Sequence, residues 1–291
     1  MRKGKPGTLE RPETFIERTI KEFVTGSEAN RHQAPDGCFF EEPLVGFADG
    51  DDSLFLQYKE IIGTFHRTPR EVLEKVTSEG TTPSRKGLKR ISVIAYILPI
   101  SEETIHGNAQ ESRYPTRRWA HTRNFGEQFN VQLRQHLIAT LEGLDYAAIA
   151  PMTSKDFAVE YNGDIPYASN WSERHACYAA GLGTFSLNDG FITPRGIAIR
   201  CGSVVTNLEL TSTPRPHASY AENCLYCRDG SCGACIQRCP AEAITEKGHD
   251  KARCATYIKN EVMPTYKGEY GVEITGCGLC QSGVPCQDRI P

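Results

Sequence analysis

Residues 232–240 read Cys-Gly-Ala-Cys-Ile-Gln-Arg-Cys-Pro, a C-x2-C-x3-C-P run that puts three thiols on one tight turn and the start of a helix. More cysteines follow on both sides: Cys224 and Cys227 upstream, then Cys254, Cys277, Cys280 and Cys286 downstream. The chain has 12 cysteines, and nine of them lie between Cys224 and Cys286, so this segment has a chemistry of its own. Cys38, Cys177 and Cys201 stand apart and read as small buried hydrophobes.

Three chemistries use cysteine at this density. Paired C-x2-C units bind zinc, and small secreted domains use disulfides. The start, MRKGKPGTLERPE, carries charge but no apolar segment of the kind that leads secretion, which argues against disulfides. The C-x3-C-P ending is that of the bacterial ferredoxin run, in which the cysteine before the proline serves the other of two [4Fe–4S] clusters. Two clusters are therefore expected, with Cys239 crossing over. Cys232, Cys235 and Cys286 join Cys224 or Cys227 at one cluster, with Cys224 the expected partner. Cys239, Cys254, Cys277 and Cys280 hold the other.

Before this segment the chain alternates between helical and strand patterns. Pro12 to Val24 repeats Phe15, Ile16, Ile20 and Phe23 along one side of a helix. Residues 26 to 52, rich in Gly, Pro, Asp and Asn, read as loop. Thr68-Pro69 opens a helix running to about Glu79. Arg90 to Leu98, Tyr146 to Pro151 and Ile197 to Val205 read as buried strands. Phe129, Leu133, Leu137 and Leu141 mark a long helix over Arg123 to Leu141. Asn170 to Glu173 fits a capping box, with Gly181 ending the helix that follows. The predicted class is α/β (α+β), with residues 1–212 forming a cofactor or substrate domain and residues 213–291 a ferredoxin-like domain.

The net charge of −3 gives no general affinity for polyanions. No apolar run is long enough to cross a bilayer, so neither a membrane partner nor a membrane location is expected. With no leader pattern, the chain is expected in the cytoplasm. Ala179, Ala180, Gly181 and Gly183 leave little side chain, which suits close approach of backbone to a flat, bulky ligand or, alternatively, a tightly packed helix C-cap followed by a turn. No dinucleotide fingerprint or P-loop is present.

Ser172-Glu-Arg-His-Ala-Cys-Tyr-Ala-Ala-Gly-Leu-Gly183, Asn188, the stretch Arg195 to Leu210, Trp119-Ala-His-Thr-Arg123 and Thr68-Pro-Arg70, followed by the cysteine segment, resemble the epoxyqueuosine reductases and, more distantly, the reductive dehalogenases. The resemblance covers roughly residues 60 to 291. It implies a nitroreductase-like, cobalamin-binding fold in which clusters pass single electrons to a corrinoid. It assigns cofactor contacts to His121, Arg123, Glu173, Arg174, Gly181, Leu182, Gly183, Asn188, Cys201, Gly202 and Ser203. It implies a cobalamin-dependent reductase acting on a small molecule or modified nucleoside, supplied by an external donor such as ferredoxin or flavodoxin. The alternative is an electron-transfer protein that reduces a partner corrinoid or flavoprotein. A bound flavin is not expected. The family's acid position, seven residues before Arg174, holds Tyr167 here, with Asp164 as second candidate; an unperturbed tyrosine keeps its proton at neutral pH. The chain stops at Pro291, before the helical repeats with which many of these enzymes grip tRNA, so tRNA is not the expected partner.

Overall fold

The computed structural model describes residues 10–32, 37–80, 82, 86–161 and 165–291. At the centre is the run Ser92–Pro99. Its eight residues are all buried, and it forms the inner strand β2 of a four-stranded sheet. The earlier elements are α1 (Pro12–Gly26), β1 (Leu44–Asp49), α2 (Leu54–Ile61) and α3 (Pro69–Ser78). After β2 come α4 (Glu102–Ala109), α5 (Arg117–Gly143), β3 (Ala148–Ile149), α6 (Glu173–Ala179) and β4 (Ile199–Thr206). The sheet order is β1-β2-β4-β3, and every pairing is antiparallel. The domain is therefore α+β; the alternation of strands and helices does not build the parallel crossovers of an α/β sheet.

The burial of β2 follows from cover on both faces. Ile94, Tyr96 and Leu98 pack with Ile16 and Ile20 of α1 and Phe129 and Leu133 of α5. Val93, Ala95 and Ile97 pack with Phe55, Val72, Leu73 and Ala176 from α2, α3 and α6. At α3 the expected cap forms: Glu71 N–H donates to Thr68 Oγ1 at 3.2 Å, and Thr68 N–H donates to Glu71 Oε2 at 2.9 Å. Helix α5 starts six residues earlier than its apolar pattern, because Thr116 Oγ1 accepts from Trp119 N–H at 3.1 Å and caps it there.

Two expectations fail for tertiary reasons. The segment read as loop contains β1, whose Gly46 lies where an ideal Cβ would come 2.6 Å from the Ala180 carbonyl oxygen. Glycine there serves a close approach of backbone rather than a turn. The capping box at Asn170 does not form. Ser172 is the residue flanking α6, and the Asn170 amide instead donates to Asp156 O at 2.8 Å and accepts from Ala158 N–H at 3.1 Å. Gly181 does close the helix, with φ +72°, and Leu182 N–H donates back to Cys177 O at 3.0 Å.

The cysteine segment adds α7 (Leu225–Asp229), α8 (Ala234–Gln237), α9 (Lys251–Tyr257) and α10 (Met263–Tyr270). It is keyed into the sheet domain by polar contacts. Ile197 N–H donates to Cys286 O at 2.8 Å. The Asn108 amide on α4 donates to Cys277 O at 3.2 Å and Ser282 Oγ at 3.0 Å. Arg238 donates to Ser282 O at 3.0 Å and Glu111 O at 2.9 Å. No helix of the described residues is long and apolar enough to cross a membrane.

Candidate metal centres

The cysteines gather around two cavities. Cys239, Cys254, Cys277 and Cys280 line one of about 190 Å³. Cys224, Cys232, Cys235 and Cys286 line the other. Asn188 lines both, so the two are neighbours. None of the 12 cysteines is in a disulfide. Burial pushes the Cys286 and Cys254 thiols up to about 12 and Cys235 up to about 11, and sulfurs of the same set reinforce each shift. Backbone N–H groups point at some of these sulfurs. Ala243 N–H donates to Cys239 Sγ at 3.2 Å, and the amides of Leu279 and Gly278 reach Cys277. Such donors favour the thiolate, the form that binds metal. Cys227, one turn beyond Cys224 on α7, is exposed and lines neither cavity, though its thiol hydrogen-bonds Cys224.

These residues fit cubane clusters. Each cavity is lined by four thiols. A zinc ion draws four sulfurs to about 2.3 Å from itself. A [4Fe–4S] cluster instead takes one thiolate at each iron corner, so its ligands stand farther apart around a cavity.

The cavity beside Cys239 has a second wall made by the sheet domain: Trp119 and Arg123 from α5, Arg174 from α6 and Arg200 from β4. Arg123 Nη1 and Arg200 Nε are buried with no hydrogen-bond partner. Burial, with Arg123 next in weight, pushes Arg200 down to about 9, so it stays a cation at neutral pH. Arg174 donates to the Asp189 carbonyl oxygen. Asn188 donates to Cys280 O at 2.9 Å and so ties the turn after α6 to the cysteine segment.

The other residues assigned to a cofactor do different work. His121 is buried on α5, with Nε2 2.8 Å from Tyr270 O, and pins α10. An ideal Cβ at Gly181 would lie 2.3 Å from Pro214 O, one at Gly183 2.3 Å from Ile192 O, and one at Gly202 2.2 Å from the Tyr96 ring. Leu182 is part of the core. The strip Glu173 to Gly183 beside Ile199 to Ser203 is therefore filled by the protein itself. Of the assigned cofactor residues, Arg123, Arg174 and Asn188 line the cavity beside Cys239, whose volume is below the roughly 300–1,000 Å³ of ordinary ligand sites. The described residues do not fit a corrin on that strip.

Glu173, Cys201 and Ser203 belong to a buried polar network that sequence reading missed. Arg134, fully buried on α5, lies 3.0 Å from Glu127 Oε1 and 3.3 Å from Glu173 Oε1, and donates to Cys201 O at 3.2 Å. Ser203 Oγ donates to Glu173 and accepts from Trp171 Nε1 at 3.0 Å. Tyr96 OH donates to Asn130 Oδ1 at 2.7 Å, and the Asn130 amide donates to Cys201 O at 3.0 Å. A charged residue inside a stretch of apolar periodicity is the signal for Arg134 and Arg200. Tyr167, expected as the acid, is 42% exposed, has φ +60°, packs edge-on against Tyr161 and lines neither cavity. Asp164 lies outside the described residues.

An epoxyqueuosine reductase of Bacillus anthracis is 27% identical over 205 residues, covering 68% of this chain and 48% of that protein. The chain is similar to the epoxyqueuosine reductases. It spans about half the length of that curated relative. A crystal structure of epoxyqueuosine reductase with an epoxyqueuosine-modified tRNA-Tyr stem loop has a TM-score of 0.50 and 18% identity, over 94% of this chain and 66% of that one, and shares its fold. A reductive dehalogenase solved in connection with B12-dependent dehalogenation aligns over 89% of this chain and 31% of its own, with 14% identity and a TM-score of 0.47. No family model matches.

Proposed function

We propose that this protein is an iron–sulfur reductase of the epoxyqueuosine reductase type. Cys224, Cys232, Cys235 and Cys286 hold one [4Fe–4S] cluster, and Cys239, Cys254, Cys277 and Cys280 hold a second. The observation that carries the reading is the pair of adjacent cavities, each walled by four unpaired cysteines. Bound there, the clusters supply one-electron transfer. The chain's own residues position them: Asn188 ties both sides together, and backbone amides at Ala243, Gly278 and Leu279 stabilise the thiolates. An external one-electron donor such as a ferredoxin or flavodoxin feeds the pair. The substrate is a modified nucleoside, free or in tRNA, or a small molecule.

The relationship also implies a corrinoid. The filled strip at Gly181, Gly183 and Gly202 leaves it no place there, so no step is assigned to it. Cobalt analysis after incubation with cobalamin and gel filtration bears on this. About one cobalt per chain would require that strip to open. Absence of cobalt leaves the clusters delivering electrons to another acceptor.

The test of the reading itself is an anaerobic reductive titration. The reconstituted protein is expected to take up two electrons per chain, one per cluster, with loss of iron–sulfur absorbance. A chain that takes up none would overturn it.

A further inference from the structure

We propose that Arg123, Arg174 and Arg200 make the cluster at Cys239, Cys254, Cys277 and Cys280 the easier of the two to reduce, so that electrons run to it from the cluster at Cys224, Cys232, Cys235 and Cys286. This rests on the two-cluster reading and adds a direction to it.

The two cavities differ in charge. The first is lined, apart from its cysteines, by Ser186, Asn188, Tyr226 and apolar residues such as Ile192, Ile197 and Val284, with no ionic side chain. The second is lined by three guanidinium groups and by no carboxylate. Two of the three carry buried N–H donors with no partner in the protein, Arg123 Nη1 and Arg200 Nε. A buried donor without an acceptor is costly, and the sulfurs of a cluster are acceptors of the right kind. The nearby acids are engaged elsewhere. Glu127 pairs with Arg134 at 3.0 Å, and the Asp189 carboxylate faces His249 at 3.3 Å and Lys251 at 3.7 Å. Glu127 still acts on Arg200 and Asp189 on Arg174, so the face is compensated in part, with three guanidinium groups against two carboxylates that lie outside the cavity lining.

A four-thiolate [4Fe–4S] cluster is an anion when oxidised and gains a further negative charge on reduction. Nearby positive charge and hydrogen bonds to its sulfurs stabilise the reduced form more than the oxidised form, which raises the potential. In the transfer itself the first cluster loses one electron and the second gains it; the external one-electron donor then refills the first. Both cavities take part of their wall from the sheet domain, the first through Ser186, Ile192 and Ile197 and the second through Trp119, Arg123, Arg174 and Arg200, so the direction rests on the difference in charge.

The experiment is a potentiometric titration of the anaerobically reconstituted full chain, followed by electron paramagnetic resonance and absorbance. Iron and sulfide are counted in every sample. Two separate one-electron waves are expected. Cys254→Ser perturbs one cluster and should move the higher wave. Arg200→Gln should lower that wave by about a tenfold change in its reduction equilibrium, ~59 mV for one electron, and leave the lower wave in place. Arg200→Lys should restore most of the shift, which a purely structural role would not do. Arg123→Gln serves as the second variant should Arg200→Gln fail to fold. A single unresolved wave, equal movement of both waves, or no movement with iron and sulfide intact would overturn the inference. Absence of iron and sulfide in the parent protein would instead refute the cluster reading beneath it.

Discussion

Replacing Arg134 with Met tests whether Glu173 is a structural acid rather than a cofactor contact. Arg134 is fully buried and is the only cation the described residues place against the Glu173 carboxylate, at 3.3 Å; the carboxylate's other partners are the Ser203 hydroxyl and the Trp171 side chain. Burial raises the Glu173 carboxyl, and Arg134 and Ser203 hold it down in part. Arg134→Met keeps the bulk of the side chain and strands the acid. Removing one member of a buried pair costs about 3–5 kcal/mol, and at 2–4 °C per kcal/mol that lowers Tm by roughly 6–20 °C. The loss should shrink toward acid pH. Without Arg134 the folded pKa of Glu173 rises further above its unfolded value, so the folded state gains by taking up a proton as pH falls. The double change Arg134→Met with Glu173→Leu should recover much of the loss, because the fully buried acid is then gone and Glu127, the acid left behind, keeps a side chain 20% exposed to water. Calorimetry at pH 7 and pH 5 reads all three variants. Refutation would be a Tm for Arg134→Met within about 2 °C of the parent, or a deficit that grows at pH 5.

Other substitutions probe the metal centres and the core. Cys227→Ser should leave iron and sulfide unchanged, while Cys224→Ser should lose or alter one cluster; the reverse pattern in iron analysis would exchange their roles. Gly278→Ala puts a Cβ 2.0 Å from the buried Trp119 ring at a residue with φ +61°. It should cost about 2–5 kcal/mol from overpacking and left-handed backbone together, with loss of the cluster beside Cys277, measured by urea denaturation and iron content. Burial pushes His175 down to about 3 and His32 to about 4. Unfolded histidines take up protons below about pH 6.5 and these two do not, so stability should fall as pH drops from there to about 4, by up to ~1.4 kcal/mol per pH unit for each. Urea midpoints at pH 7 and 5 check this, and His175→Gln should flatten the slope.

The parts of the molecule legible in the sequence are those with local causes. Which cysteines share a cavity follows from thiol spacing within one segment, with the proline after Cys239 marking the crossing. The cap at Thr68 and the left-handed closure at Gly181 depend on residues within one turn, and both form. Strand β1 was hidden because Gly46 and its polar neighbours look like loop until they pair with β2 and meet Ala180. Small residues near a strand have two readings, room for a ligand or room for chain, and the sequence does not choose between them. The atoms that choose come from Pro214, Ile192 and Tyr96, each supplied by another segment. The same holds for Arg134 and Glu173, which are 39 residues apart and meet only once α5 and α6 pack on one sheet.

The most direct measurement of the central claim is elemental: iron, acid-labile sulfide and zinc in the anaerobically prepared chain. Two cubane clusters require about eight irons and eight sulfides per chain, held by eight of the nine cysteines between Cys224 and Cys286. Stoichiometric zinc with no sulfide would contradict the account.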